Sequence, residues 1–166
     1  MPVVPVLRVP QAVLDAPTLL ETDFGDALTQ VVVDLVDTMN ASQGCVGLAA
    51  PQIGSDRRVA VIDLRRHRKP IDNHGLLVLV NPTITERSDP STAREGCMSV
   101  PDFTGDVTRA TDLVIDWQDE SGGRCSDRFT GFEARAVQHE VDHLDGLLFL
   151  DRVAGREAVF RRKVYK

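Results

Sequence analysis

Residues 138–143 read Gln-His-Glu-Val-Asp-His, and the pair His139 and His143 constrains the fold more than any other feature of the chain. Residues four apart on a helix lie one turn apart on the same face, with roughly 5–6 Å between Cβ atoms. Two imidazoles so placed converge on one divalent metal. Glu140, next to the first, can reach a water on that metal and act as general base. Ala136, Leu144 and the apolar run Leu147 to Leu150 mark the helix as buried. Buried paired histidines without a ligand would be costly, so the helix is expected to lie inside the molecule with a metal bound to it.

The chain has 166 residues, which fits a single catalytic domain spanning 1–166. A chain of this size buries enough surface to fold without disulfides. Its net charge of −6 argues against general nucleic-acid binding, DNA included. The charge is uneven: Arg152, Arg156, Arg161, Arg162, Lys163 and Lys166 face only Glu157 at the C-terminus. Such a tail suits a solvated helix end carrying favourable cations, or contact with an acidic surface such as ribosomal RNA. Arg65, Arg66, Arg68 and Lys69, with His67, read as an exposed loop. Pro2, Pro5 and Pro10 break up the N-terminus, and no apolar targeting segment is seen after them. The longest uninterrupted apolar run, Leu76 to Val80, is far too short for a membrane span. Cys45, Cys97 and Cys125 are odd in number and scattered, which fits a reducing cytoplasm better than a disulfide framework.

Residues 1–22 are expected to be extended and to wrap the body. Asp23 is a candidate N-cap for a helix over 25–39, in which Leu28, Val31, Leu35 and Met39 recur at helical spacing. Arg58 to Leu64 and Leu76 to Val80 read as buried strands, with Asn81-Pro82 ending the second. Val107 to Trp117 and Cys125 to Phe129 read as two strands joined by a turn at Asp119 to Gly123. Gly131 opens the histidine helix, and Gly146 suits its C-terminal cap. The last dozen residues are expected to form a terminal helix. Strands around a central helix with a second helix on the flank make an α+β fold, antiparallel sheets packed around the metal-binding helix.

A catalytic metal site of this type needs three protein ligands and an open position. The candidates for the third are His67, His74, the carboxylates and the cysteines. His67 sits among four cations, and His74 in an expected turn. Cys97 is better placed, in Arg94-Glu95-Gly96-Cys97-Met98-Ser99-Val100-Pro101, where Gly96 permits close backbone approach. Its thiolate favours Fe²⁺, Zn²⁺ or Co²⁺. Cys45 and Cys125 read instead as small buried hydrophobes. In Cys45 to Gly54, small residues let a loop approach a ligand closely. Gln52 is polar amid apolar neighbours: it either ties down its own loop or donates to a developing oxyanion.

Cys45 to Gln52, Glu95 to Ser99 and His139 to His143 together resemble the three ordered motifs of the peptide deformylase family. The likeness extends to Leu7-Arg8-Val9-Pro10 and to Gly131-Phe132-Glu133-Ala134-Arg135-Ala136, the lead into the active helix. One departure is Cys45, which stands where the family's first motif carries glycine. The resemblance implies a peptide-deformylase-like fold and hydrolysis of the N-terminal formyl-methionine of nascent peptides, releasing formate. It implies one divalent metal held by Cys97, His139 and His143: Fe²⁺ in the cell, with Ni²⁺ or Co²⁺ as working substitutes and Zn²⁺ in isolated protein. Glu140 would be the base, and Gln52 with the Met98 backbone N–H would hold the oxyanion. Val46, Gly47, Glu95, Gly96, Phe132 and Ala136 are the expected substrate-side residues, with Glu95 also orienting His139. A monomer is expected. A deformylase acting on other formamides, or an H-E-x-x-H metallopeptidase, is the alternative; the latter has no use for Cys97.

Overall fold

The computed structural model describes residues 3–163; Pro2 and Lys166, members of the two terminal runs above, lie outside them. Helix α1 spans Asp26–Ala41 and helix α2 Gly131–Leu144. The strands are β1 (Gly47–Ala49), β2 (Val59–Asp63), β3 (Leu76–Cys97), β4 (Val100–Gln118), β5 (Arg124–Thr130) and β6 (Val159–Arg161). Their pairings are antiparallel and run β1-β2-β3-β4-β5, with β6 added to β4. Hydrogen bonding thus links the strands into one sheet rather than separate ones. No helix among the described residues is long and apolar enough to cross a membrane.

Strand β2 lies between the two helices and alternates its side chains between them, as a pleated strand must. Val59 and Val61 pack with Leu28, Val32, Leu35 and Met39 of α1. Ile62 faces the other way and packs with Ala134, Val137 and Val141 of α2, alongside Leu79, Leu113, Ile115 and Phe129. The buried stripe of α1 passes through Val32, with Val31 only partly buried. Helix α1 begins one residue later than expected and is capped at Gly25; Asp23 contributes by accepting the Gly25 N–H at 3.1 Å.

Two sequence expectations are corrected. Asn81-Pro82 does not end β3, which runs on to Cys97. The ladder shifts register between Val80 and Thr83 as β3 leaves β2 and takes up β4. Asn81 adopts φ 51, and its side chain bonds the Glu21 backbone and the Gln118 amide. Proline is tolerated at such an irregularity because no ladder donor is needed there. The C-terminus is not a helix: Arg156–Ala158 form a single 3₁₀ turn leading into β6, which pairs with Phe103–Gly105 of β4.

The N-terminal segment is extended apart from a 3₁₀ turn at Ala12–Asp15. It lies against the residues that later prove to surround the site: Leu7 N–H donates to the Gln52 carbonyl (2.8 Å) and Val9 N–H to that of Ser99 (2.9 Å). Helix α2 ends as expected. Gly146 has φ 77, and Leu147 N–H reaches back to the Asp142 carbonyl at 2.8 Å.

Candidate active site

Helix α2 carries Glu140 and His143 almost fully buried, while His139 keeps some exposure. The two imidazole rings have centroids 5.1 Å apart, as expected for neighbours one turn apart. Cys97 arrives from the last position of β3, just before the two-residue turn into β4. Its Sγ lies 3.3 Å from His143 Nε2. One ligand atom from each of Cys97, His139 and His143 falls within 4.8 Å of the others, a spacing at which one metal ion can be held. His67 and His74 take no part. The His67 ring packs on Phe132 at 4.8 Å, and His74 Nδ1 lies 2.9 Å from a Glu133 carboxylate oxygen.

The electrostatics of the cluster fit a cation. Burial lowers the His143 pKa well below 6.5, so the ring is neutral, the form that ligates metal. Burial acts on His139 in the same direction, yet hydrogen bonds to Cys97 and Glu95 outweigh it and raise its pKa well above 6.5. A proton is thus favoured where a metal's charge would otherwise stand. Burial pushes the Glu140 carboxyl up to about 7, against the pull of His139 and Arg109; a cation beside it would add to that pull. Glu140 Oε2 and His143 Nδ1 are buried without a hydrogen-bond partner among the described residues.

Glu95 is the hub that holds His139. Its Oε2 lies 3.2 Å from His139 Nδ1, leaving the other ring nitrogen for the metal cluster. Arg109 donates to both Glu95 oxygens (2.6 and 3.1 Å), and Arg135 to one at 3.2 Å. Arg109 also donates to Asp142 at 2.8 Å, and Asp142 accepts from Arg152. Burial would raise the Glu95 pKa, but the bonds from His139 and Arg109 hold it at about 2. The Glu95 carboxylate is therefore engaged with the protein, which fits a positioning residue better than the substrate-side place expected for it. The sequence assigns no role to Arg109, Arg135 or Asp142, although Arg135 and Asp142 stand within the segments that carry the resemblance; at Arg109 the only signal is a charge on an otherwise buried strand.

Gln52 sits on the 3₁₀ turn Ala50–Ile53, between β1 and β2, and is 2% exposed. Its oxygen accepts the Ala49 N–H at 3.0 Å. Its amide nitrogen lies 3.2 Å from Ser99 Oγ and 3.6 Å from Cys97 Sγ. It therefore ties down its own loop while aiming a donor at the sulfur, so both uses considered from the sequence are geometrically compatible. Gly47 leaves room for the base: a Cβ there would stand 2.6 Å from Glu140 Oε1.

A cavity of about 360 Å³ opens onto these groups. Cys45, Val46, Gly47, Gln52, Glu95 to Met98, Phe132, Ala136, His139 and Glu140 line it. Val46, Met98, Phe132 and Ala136 supply apolar surface, with Phe132 exposed at the rim. Cys45 is half-buried, and its Sγ donates to the Gly47 carbonyl at 3.1 Å. Burial, with Glu140 nearby, pushes its thiol up to about 12. Cys125 is likewise half-buried, but on β5 and outside the cavity lining.

An H-E-x-x-H helix enclosed by an antiparallel sheet, with a cysteine completing the ligand set and a buried carboxylate beside it, defines a metal-dependent hydrolase. The sequence matches the polypeptide deformylase family over residues 3–159. It is 42% identical over 154 residues to peptide deformylase 1 of Bacillus subtilis, covering 93% of this chain and 92% of that protein. It is 37% identical over 153 residues to the peptide deformylase of Halothermothrix orenii, covering 92% and 95%. Among solved structures, the Synechococcus elongatus peptide deformylase in complex with actinonin superposes with a TM-score of 0.85 at 34% identity, covering 95% of this chain and 82% of that one. The Thermotoga maritima peptide deformylase gives 0.84 at 29% identity, covering 93% and 100%. This chain belongs to the peptide deformylase family, enzymes that remove the formyl group from peptide N-termini.

Proposed function

We propose that the cavity receives the N-formyl-methionyl end of nascent peptides in the cytoplasm, and that Cys97, His139 and His143 hold one divalent cation beside it. The donor set of one thiolate and two imidazoles suits a soft or borderline cation, Fe²⁺ in the cell, with Ni²⁺, Co²⁺ or Zn²⁺ able to take its place. When bound, such a cation supplies Lewis acidity, which lets water give up a proton near neutral pH and polarises a carbonyl. Glu140 takes that proton at its buried carboxylate. The water oxygen bonds to the formyl carbon, the C–N bond breaks, and Glu140 returns the proton to the leaving amine. The products are formate and a free peptide amino terminus.

Gln52 Nε2 and the Met98 backbone N–H donate to the formyl oxygen as negative charge develops on it. The backbones at Val46 and Gly96 pair with the extended peptide. Val46, Met98, Phe132 and Ala136 take the methionine side chain. Arg156, Arg161 and Lys163, all exposed, remain available for weak contact with ribosomal RNA.

The observation that carries this reading is the convergence of Cys97, His139 and His143 beside a cavity that Cys97, His139 and Glu140 line. Anaerobic purification, elemental analysis and a formate-release assay on formyl-Met-Ala test it together. We expect one metal per chain and stoichiometric formate, with metal content falling sharply in Cys97→Ala. Internal peptide cleavage without formate would favour the metallopeptidase alternative.

A further inference from the structure

Three arginines line the cavity: Arg94, Arg135 and Arg162. Two are committed to the protein. Arg94 donates to Asp106 at 2.6 Å, and its guanidinium carbon sits 3.7 Å over the Phe160 ring. Arg135 donates to Glu95 and to the Ser91 and Val107 carbonyls. The Arg162 guanidinium has no hydrogen-bond or ion-pair partner among the described residues.

The position of Arg162 is built, not incidental. Strand β6 pairs with Phe103–Gly105, and the Arg162 N–H then bonds the Asp102 carbonyl at 2.9 Å. This carries the side chain across the end of β3, where its Nη2 stands 2.6 Å from the point a Gly96 Cβ would occupy. With glycine at 96, the guanidinium rests close to backbone beside the ligand Cys97. The acidic groups of the cavity do not answer it: Glu95 is taken up by Arg109, Arg135 and His139, and Glu140 is buried.

We infer that Arg162 recognises a carboxylate in the substrate's peptide portion, one or two residues beyond the formyl-methionine. The inference rests on the function proposed above. The formyl cap removes the amino-terminal charge, so any charge the peptide brings near the cleft lies on residues after the methionine. A peptide paired along Gly96 advances about 3.3 Å per residue, which brings its second or third residue under the guanidinium. That carboxylate belongs either to an Asp or Glu side chain or to the free C-terminus of a short peptide.

The test is kcat/KM for formate release by the metal-loaded enzyme on formyl-Met-Ala-Ser amide, formyl-Met-Glu-Ser amide and formyl-Met-Ala free acid. An exposed ion pair is worth about a 5-fold preference at low salt, shrinking as salt is added and carried by KM rather than kcat. We expect the acidic-to-neutral ratio to fall to about one in Arg162→Gln and to be largely kept in Arg162→Lys. Preference for the Glu peptide assigns the contact to a side chain; preference confined to the free acid assigns it to a chain terminus. Equal ratios in the wild type and Arg162→Gln would overturn the inference while leaving the proposed function standing. No formate from any of the three peptides would overturn the proposed function, and the inference with it.

Discussion

Gly47 on β1 and Glu140 on α2 share one small volume: a Cβ on Gly47 would stand 2.6 Å from Glu140 Oε1 and 3.0 Å from its Cδ. The missing side chain is what lets the carboxylate lie against the strand. Gly47→Ala is expected to displace Glu140 while leaving the metal ligands in place. A misplacement of about 1 Å can cost on the order of 10²-fold in rate. Formate release should fall by about that factor with metal content unchanged, as read by kinetics and elemental analysis on the same sample.

Glu140→Ala removes the proton acceptor and none of the three ligand atoms. We expect retained metal and a loss in kcat of about 10²–10⁴-fold, the usual worth of a positioned acid–base group. Turnover close to wild type would remove Glu140 from the mechanism.

Glu95 holds His139, Arg109 and Arg135 at once. Glu95→Ala would leave Arg109, whose side chain is 4% exposed, with half of its partners. Breaking a buried ion pair by removing one member costs about 3–5 kcal/mol, and losing a partner of a ligating histidine weakens metal affinity about 10–100-fold. Denaturant midpoints and competitive chelator titration should both shift. A shift in stability alone would deny Glu95 its hold on His139.

Two carboxylates away from the site set an acid limit on stability. At Glu21, burial raises the pKa, but the Asp23 and Thr22 backbone N–H groups and Arg57 outweigh it and hold it below 4.5. Hydrogen bonds from Arg65 hold Asp63 below 3.8, against burial. Both groups release protons more readily folded than unfolded. Their stabilisation is complete above those ordinary values and is lost as pH falls through the lower folded ones. Urea midpoints measured from pH 7 to pH 3 should therefore fall more steeply below about pH 4.5 in the wild type than in Glu21→Gln or Asp63→Asn. Parallel curves would show that other groups dominate acid unfolding.

The legible elements were those whose signal is local. The run Arg58 to Leu64 is legible as a buried strand from its short apolar stretch; it contains β2, whose two faces are covered by the two helices. The turn at Asp119 to Gly123 was legible from its residues; in the structure Asp119 Oδ1 accepts three bonds from Ser121 and Gly123. The middle of β3 carried no such signal. Positions 85–94 are exposed, so no apolar alternation marks them, and they are strand only because β4 pairs with them. The C-terminal residues misled for a similar reason. Their charges suit a helix end, but an available edge at Phe103–Gly105 recruits them as β6.

What the sequence determined by itself was the chemistry on one helix. The spacing of His139, Glu140 and His143 places two imidazoles and a carboxylate within one turn wherever that helix is packed, because helical geometry is local. Only the tertiary structure decided what meets them. Cys97 reaches His143 across 46 positions, and Arg109 joins Glu95 to Asp142 across the sheet. Arg162 comes to rest on Gly96 because β6 pairs with β4. Such meetings depend on strand register and on the burial of both helices against one sheet, which no short stretch of residues encodes alone.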